Sequence, residues 1–284
     1  MKTNLYIFCL ALISTLILNS CKNQKTKEII KPKNYTIILD LSDRILVPEQ
    51  IDKDIYLIEK YFKIFEENSR RNLVLTSKNR FTVKIIPQKN SPLHWEHYED
   101  LLQLYLDEIK VEDKNKALTA LSSNLPTILE SIKKAALYSN HSTDYFGVDI
   151  WAYLNNNGRQ LSKTGYQNTF LVLTDGYFDF EKQTHVVKKK NQYTSTQFLN
   201  ELTSSDWKKI SESKSYGLLP IQLDKNSKWI VAGIAGKKDD DILQTEKISF
   251  FWKKWMKQSG VSDIHIILNA SKTTMSSSLV DQLY

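Results

Sequence analysis

The stretch Tyr35-Thr36-Ile37-Ile38-Leu39-Asp40-Leu41-Ser42-Asp43-Arg44 decides the fold of this chain. A strand-forming, apolar run ends in an aspartate and breaks into a polar turn. A second stretch, Thr169-Phe170-Leu171-Val172-Leu173-Thr174-Asp175-Gly176, has the same form. Each reads as a strand buried on both faces, as in a parallel sheet. In such sheets ligands bind outside the carboxyl ends of the strands. Two carboxylates, a serine and a glycine turn are therefore expected to meet at one edge, although they lie far apart in sequence.

Outward from these strands, the pattern alternates. Ile51, Ile55, Ile58, Phe62 and Phe65 recur at three- and four-residue spacing and predict a helix starting near Pro48 and Glu49. Residues 80–87 predict a strand in which Phe81, Val83 and Ile85 alternate with Thr82 and Lys84, leaving one wetter face. Residues 94–109 read as an acidic helix. Leu125, Ile128, Leu129 and Ile132 form another helical stripe, and residues 145–154 a short helix ended by the Asn155–Gly158 run. A polar stretch follows the second aspartate strand. Then come a buried strand at 229–234, a Trp- and Phe-rich helix at 242–257 and a last strand at 263–268. Alternating strands and helices predict an α/β fold: a Rossmann-like, mostly parallel sheet with helices on both faces, spanning residues 35–270. Residues 271–284 read as a frayed polar tail.

The amino end reads differently. Lys2 precedes an almost wholly apolar run from Leu5 to Leu18, followed by Asn19-Ser20-Cys21. Charge, apolar core and a small residue before the cleavage point make up a secretory signal. The run is shorter than the ~20 residues of a spanning helix. With a cysteine after the small residue, this start resembles a bacterial lipoprotein signal. The resemblance implies cleavage after residue 20 and lipid on Cys21. The chain's other cysteine, Cys9, would leave with the signal, so no internal disulfide is possible. Residues 21–34, rich in Lys and Asn, read as a flexible tether. The expected place is the bacterial cell envelope, lipid-anchored and facing the periplasm. The net charge of +7 and pI of about 9.1 suit a solvated surface beside anionic headgroups. Without an aromatic–basic or zinc-finger signature, no nucleic-acid partner is expected.

The two aspartate strands together resemble a von Willebrand factor A-type domain. In that family the first strand ends in Asp-x-Ser-x-Ser, a Thr-Asn-Leu precedes a later helix, and a further strand ends in Thr-Asp-Gly. Here Asp40-Leu41-Ser42, Ser123-Asn124-Leu125 and Thr174-Asp175-Gly176 stand in that order. The resemblance implies a metal-ion-dependent adhesion site with Asp40, Ser42, Ser123 and Asp175 as ligands, Mg²⁺ or Mn²⁺ as the ion, and a protein partner. Such hard oxygen ligands suit Mg²⁺, which usually keeps several waters. The chain departs from the pattern at Arg44, which stands where the family has its second serine. Its guanidinium could take the place of the cation among the carboxylates. Alternatively Arg44 points out and Asp43 contributes to the ion. Tyr177 and its aromatic neighbours Phe178 and Phe180 would rim the edge or simply pack.

Other chemistry is poorly supported. A haloacid-dehalogenase-type phosphatase needs Asp-x-Asp, and here Asp40-Leu41-Ser42 stands instead. Neither a Gly-x-Ser-x-Gly elbow nor a phosphate-binding loop occurs. His94 and His97 lack zinc-protease spacing, and His265 reads as a hydrogen-bonded core residue. The expectation is a non-enzymatic, membrane-anchored, protein-binding module. Its rivals are a metal-dependent hydrolase using the same carboxylates and a structural envelope lipoprotein.

Overall fold

β1 (Lys33–Asp40) is buried along nearly its whole length and lies at the centre of a six-stranded sheet. The computed structural model describes residues 31–71, 73–86, 88, 94–179, 186–237 and 242–284. Residues 32–284 form one compact unit. Cys21, and with it the expected signal and most of the tether, lies outside the described residues. Among the described residues, no helix is long and apolar enough to cross a membrane.

The chain builds outward from β1 in one direction and then returns. α1 (Gln50–Arg70) leads to β2 (Arg80–Ile86), parallel to β1. The short α2 (Glu96–Leu101) leads to β3 (Gln103–Tyr105), antiparallel to β2 at the edge. α3 (Lys114–Ala136) and α4 (Ile150–Asn157) carry the chain back to β4 (Gln167–Leu173), parallel to β1 on its other side. A small three-stranded sheet follows: β5 (Lys188–Lys189), β6 (Gln192–Tyr193) and, after α5 (Trp207–Ser213), β7 (Gly217–Leu218). β8 (Lys228–Ile234), α6 (Ile242–Gln258), β9 (Asp263–Leu268) and α7 (Lys272–Leu283) complete the unit. The sheet order is β3-β2-β1-β4-β8-β9, mostly parallel. The fold is therefore α/β, with a mixed central sheet flanked by helices.

Alternation along the strands divides the core. Tyr35, Ile37 and Leu39 join Phe81, Val83 and Ile85 under α1, α3 and α7. Ile38, Phe170 and Val172 face α4 and α6, where Phe178, Trp252 and Trp255 cluster with ring centroids 4.7–5.5 Å apart. The Trp- and Phe-rich helix therefore packs on the sheet.

Four sequence expectations need correction. Residues 94–109 are not one helix, because Leu102, Leu104 and Leu106 are buried at period two and turn the second half into β3. The 271–284 tail is not frayed. Met275 and Leu279 lie one turn apart, both fully buried against the α1 layer, and Ser271 caps the helix by accepting from the Thr274 N–H. The tether ends earlier than residue 34, since Asn34 already belongs to β1 and bonds the Leu161 carbonyl and Asn168. His265 is not a core residue. It lies on the edge strand β9, one third exposed, with Nε2 2.7 Å from Asp263.

Candidate functional site

The strand order reverses between β1 and β4, the topological point at which such sheets leave a crevice at their carboxyl edge. Asp40 ends β1 there, and Thr174-Asp175-Gly176 leaves β4 beside it. Both Asp40 carboxylate oxygens are engaged by the protein. Oδ1 accepts the Ser42 N–H at 2.8 Å, and Oδ2 accepts the Thr174 hydroxyl at 2.7 Å. Thr174 Oγ1 in turn accepts the Gly176 N–H at 3.0 Å, and Asp175 Oδ1 accepts the Tyr177 N–H at 3.1 Å. Each aspartate or threonine thus bonds the backbone two residues on, as such residues do in turns.

Gly176 has φ +93°, and an added Cβ would stand 2.4 Å from Ile234 and 2.5 Å from Ile248. Only glycine lets this turn lie against β8 and α6. The Gly176 carbonyl also accepts the Trp252 indole N–H at 2.9 Å, fixing the turn to the aromatic cluster.

Arg44 turns inward from the short 3₁₀ turn after β1 and is buried. Its Nε donates to the Asp40 carbonyl at 3.1 Å and lies 3.6 Å from Asp40 Oδ2. One terminal nitrogen reaches Asp54 Oδ2 at 2.7 Å and the Leu173 carbonyl at 2.9 Å. The other, Nη1, is buried and without a partner among the described residues. A single guanidinium thus ties the end of β1, the end of β4 and the second turn of α1 together. Its fork geometry makes that possible where a lysine ammonium would not reach all three.

The charge balance is negative, with Asp40, Asp54 and Asp175 facing one Arg44. Burial, partly offset by Arg44, raises the Asp54 pKa to about 6. Burial and the nearby Asp40 charge raise Asp175 to about 7. Asp43 is also raised, by partial burial and then by Asp40, although its side chain is largely exposed. Arg44 is held firmly protonated because its carboxylates, Asp54 first, outweigh the cost of burial.

The structure brings together Asp40, Ser42, Arg44 and Asp175 of the predicted residues, with Asp43 and Tyr177 on the rim. It does not bring Ser123. That residue sits exposed in the middle of α3, because Leu118 and Leu121 extend the apolar stripe upstream of Leu125 and Pro126 falls on the outer face. Its neighbour Ser122 bonds Glu66, which is twelve residues beyond Asp54 on α1, or about 18 Å along the helix. The four-residue ligand set is therefore not assembled. With both Asp40 oxygens bonded by the protein and the Arg44 guanidinium against Asp40 and Asp54, the residues present do not fit Mg²⁺ or Mn²⁺.

Of the rim aromatics, Phe178 is fully buried, and Tyr177 is half-buried with the Lys237 ammonium 4.9 Å above its ring. Phe180 lies outside the described residues. His94 and His97 are exposed and distant from any ligand cluster, and the described residues hold no group of three His, Cys, Asp or Glu poised for a metal.

Asp54 is the residue that sequence reasoning missed. Its signal was present: an acidic side chain in line with Gln50, Leu57, Ile58 and Tyr61 on the buried face of α1. A carboxylate in such a stripe needs a partner, and Gln50 and Arg44 supply it. No family model, curated protein or solved structure matches this chain.

Proposed function

We propose that this chain is a bacterial envelope lipoprotein, anchored through Cys21, whose domain is a Rossmann-like, von Willebrand factor A-like module that binds a protein partner at the carboxyl edge of the sheet. One observation carries the reading. The arginine-centred carboxylate cluster lies where the strand order reverses, and large apolar side chains stand exposed along the same edge. Leu46 and Val47 follow Arg44 and the buried Ile45, Ile242 and Leu243 open α6 after β8, and Leu268 ends β9. Exposed apolar groups gathered around a polar centre are the usual anatomy of a contact surface. In this reading Arg44 replaces the cation of an adhesion site, holding the edge in shape while Asp43 and the apolar rim meet the partner.

A photo-crosslinking residue at Val47, used in the intact envelope, tests the proposal against the same residue at exposed Lys225 on the opposite edge. A discrete protein crosslinked only from position 47, and lost in Asp43→Lys, is the expected result. Identical crosslinks from both positions would sink it. Calorimetry with Mg²⁺ and with Mn²⁺ tests the cation replacement. Saturable heat with the native chain would overturn it, whereas heat only in Arg44→Ser would support it.

A second reading follows from Asp175, which keeps some exposure and titrates near neutrality. Such a carboxylate suits acid–base work, and a hydrolase is the rival function. It requires phosphoester or ester turnover that Asp175→Asn abolishes, and a flat panel removes it.

A further inference from the structure

β2 carries an alternation that the edge site leaves unused. Phe81, Val83 and Ile85 point into the core, whereas Arg80, Thr82 and Lys84 point to the other face. The sequence predicts a wet face there. Instead, Arg80 and Thr82 are buried and line a cavity of about 440 Å³ between the sheet, α4 and the turn that follows α4. That volume is in the range of small-molecule sites. The cavity lies toward the amino end of the strands, since Asn34 at the start of β1 also lines it. It is therefore separate from the Asp40 edge.

Its walls are fixed by internal pairs. Arg80 bonds Glu108 at 2.6 Å and lies 3.8 Å over the Tyr105 ring. Lys84 bonds Glu99 at 2.7 Å, and the other Glu99 oxygen accepts the Ile85 N–H at 2.8 Å. These groups are held by the protein and hold the cavity open. Other groups are not spoken for. Thr82 and Ser162 both line the cavity, and their hydroxyls are buried with no partner among the described residues. Buried hydroxyls normally find one, and leaving them unpaired costs stability. Neither oxygen faces the open volume in this structure, so contact with a ligand requires a rotation about χ1 at each. Tyr153 adds an aromatic ring there, and Lys163, at the mouth, makes no ion pair among the described residues.

We infer that this cavity binds a sugar acid: a hydroxyl-rich ring bearing a carboxylate. Thr82 and Ser162 would exchange hydrogen bonds with ring hydroxyls, since each hydroxyl both donates and accepts. The Tyr153 ring would cover an apolar ring face, and Lys163 would pair with the carboxylate.

Calorimetry on the purified full chain tests this with glucuronic, galacturonic and N-acetylmuramic acids, against glucose and N-acetylglucosamine. At least one acid is expected to bind saturably and its neutral counterpart at least about fivefold more weakly, as one partly exposed charge pair allows. Thr82→Val keeps the shape and removes only an unpaired hydroxyl, so the variant folds, and binding should fall about tenfold. Lys163→Gln should abolish the preference for the acid. Absence of binding to all three acids, or unchanged binding in Thr82→Val, would overturn the inference. So would equal affinity for acid and neutral sugars.

Discussion

Asp175→Asn isolates the electrostatic strain at the sheet edge. The Asp175 pKa is raised from 3.8 to about 7 by burial and by Asp40. In the unfolded chain it ionises near its ordinary value. Between these limits the folded state binds the extra proton, so folding stability falls as pH rises from about 4 through about 7 and then levels off. Roughly three pH units at about 1.36 kcal/mol each give about 4 kcal/mol as the full excursion. The asparagine cannot ionise, yet its carbonyl can still accept the Tyr177 N–H that Asp175 Oδ1 now accepts. The variant should therefore match the native protein near pH 4 and exceed it at pH 8 by about 2–4 kcal/mol, with the upper figure the full linkage value. For a domain of this size that is a rise in Tm of at least about 4 °C at pH 8. Urea titrations of both proteins from pH 4 to 8 measure the difference directly. Asp54, raised to about 6, leaves some pH dependence in the variant, so the difference between the two curves is the test. Parallel curves across the whole range would refute the reasoning.

Other substitutions probe the remaining contacts. Arg44→Met leaves Asp54 and Asp40 buried without their cation and should cost about 3–5 kcal/mol, read as a lower urea midpoint at pH 7. The loss should shrink at pH 5, where Asp54, with a pKa of about 6, takes up a proton. Gly176→Ala drives a Cβ into Ile234 and Ile248 at positive φ, for roughly 2–4 kcal/mol by thermal melts. Leu279→Ala should cost about 2–4 kcal/mol in the same melts, whereas a frayed tail would show almost none.

The two aspartate-ended strands were legible because burial on both faces writes itself as an unbroken apolar run, and the polar turn marks where the sheet stops. Tyr35–Leu39 and Phe170–Leu173 are adjacent parallel strands, as their pattern requires. Two of the failed readings show why. The 94–109 segment mixes acidic helix formers with a period-two leucine run, and the leucines prevail over its second half. Ser123 stood in the order of a ligand motif, but order along a chain does not say which end of a helix a residue reaches.

By itself the sequence determined the five parallel strands of the main sheet, the α/β class and the convergence of Asp40 with Asp175, since these follow from hydrophobic period and from the geometry of parallel strands. Only the tertiary structure decided the chemistry of that edge. Whether Arg44 faces water or the carboxylates depends on Asp54, ten residues away on the buried face of α1, and on the Leu173 carbonyl at the end of another strand. A buried guanidinium is tolerable only where such acceptors converge, and that convergence exists only once β1, β4 and α1 have packed.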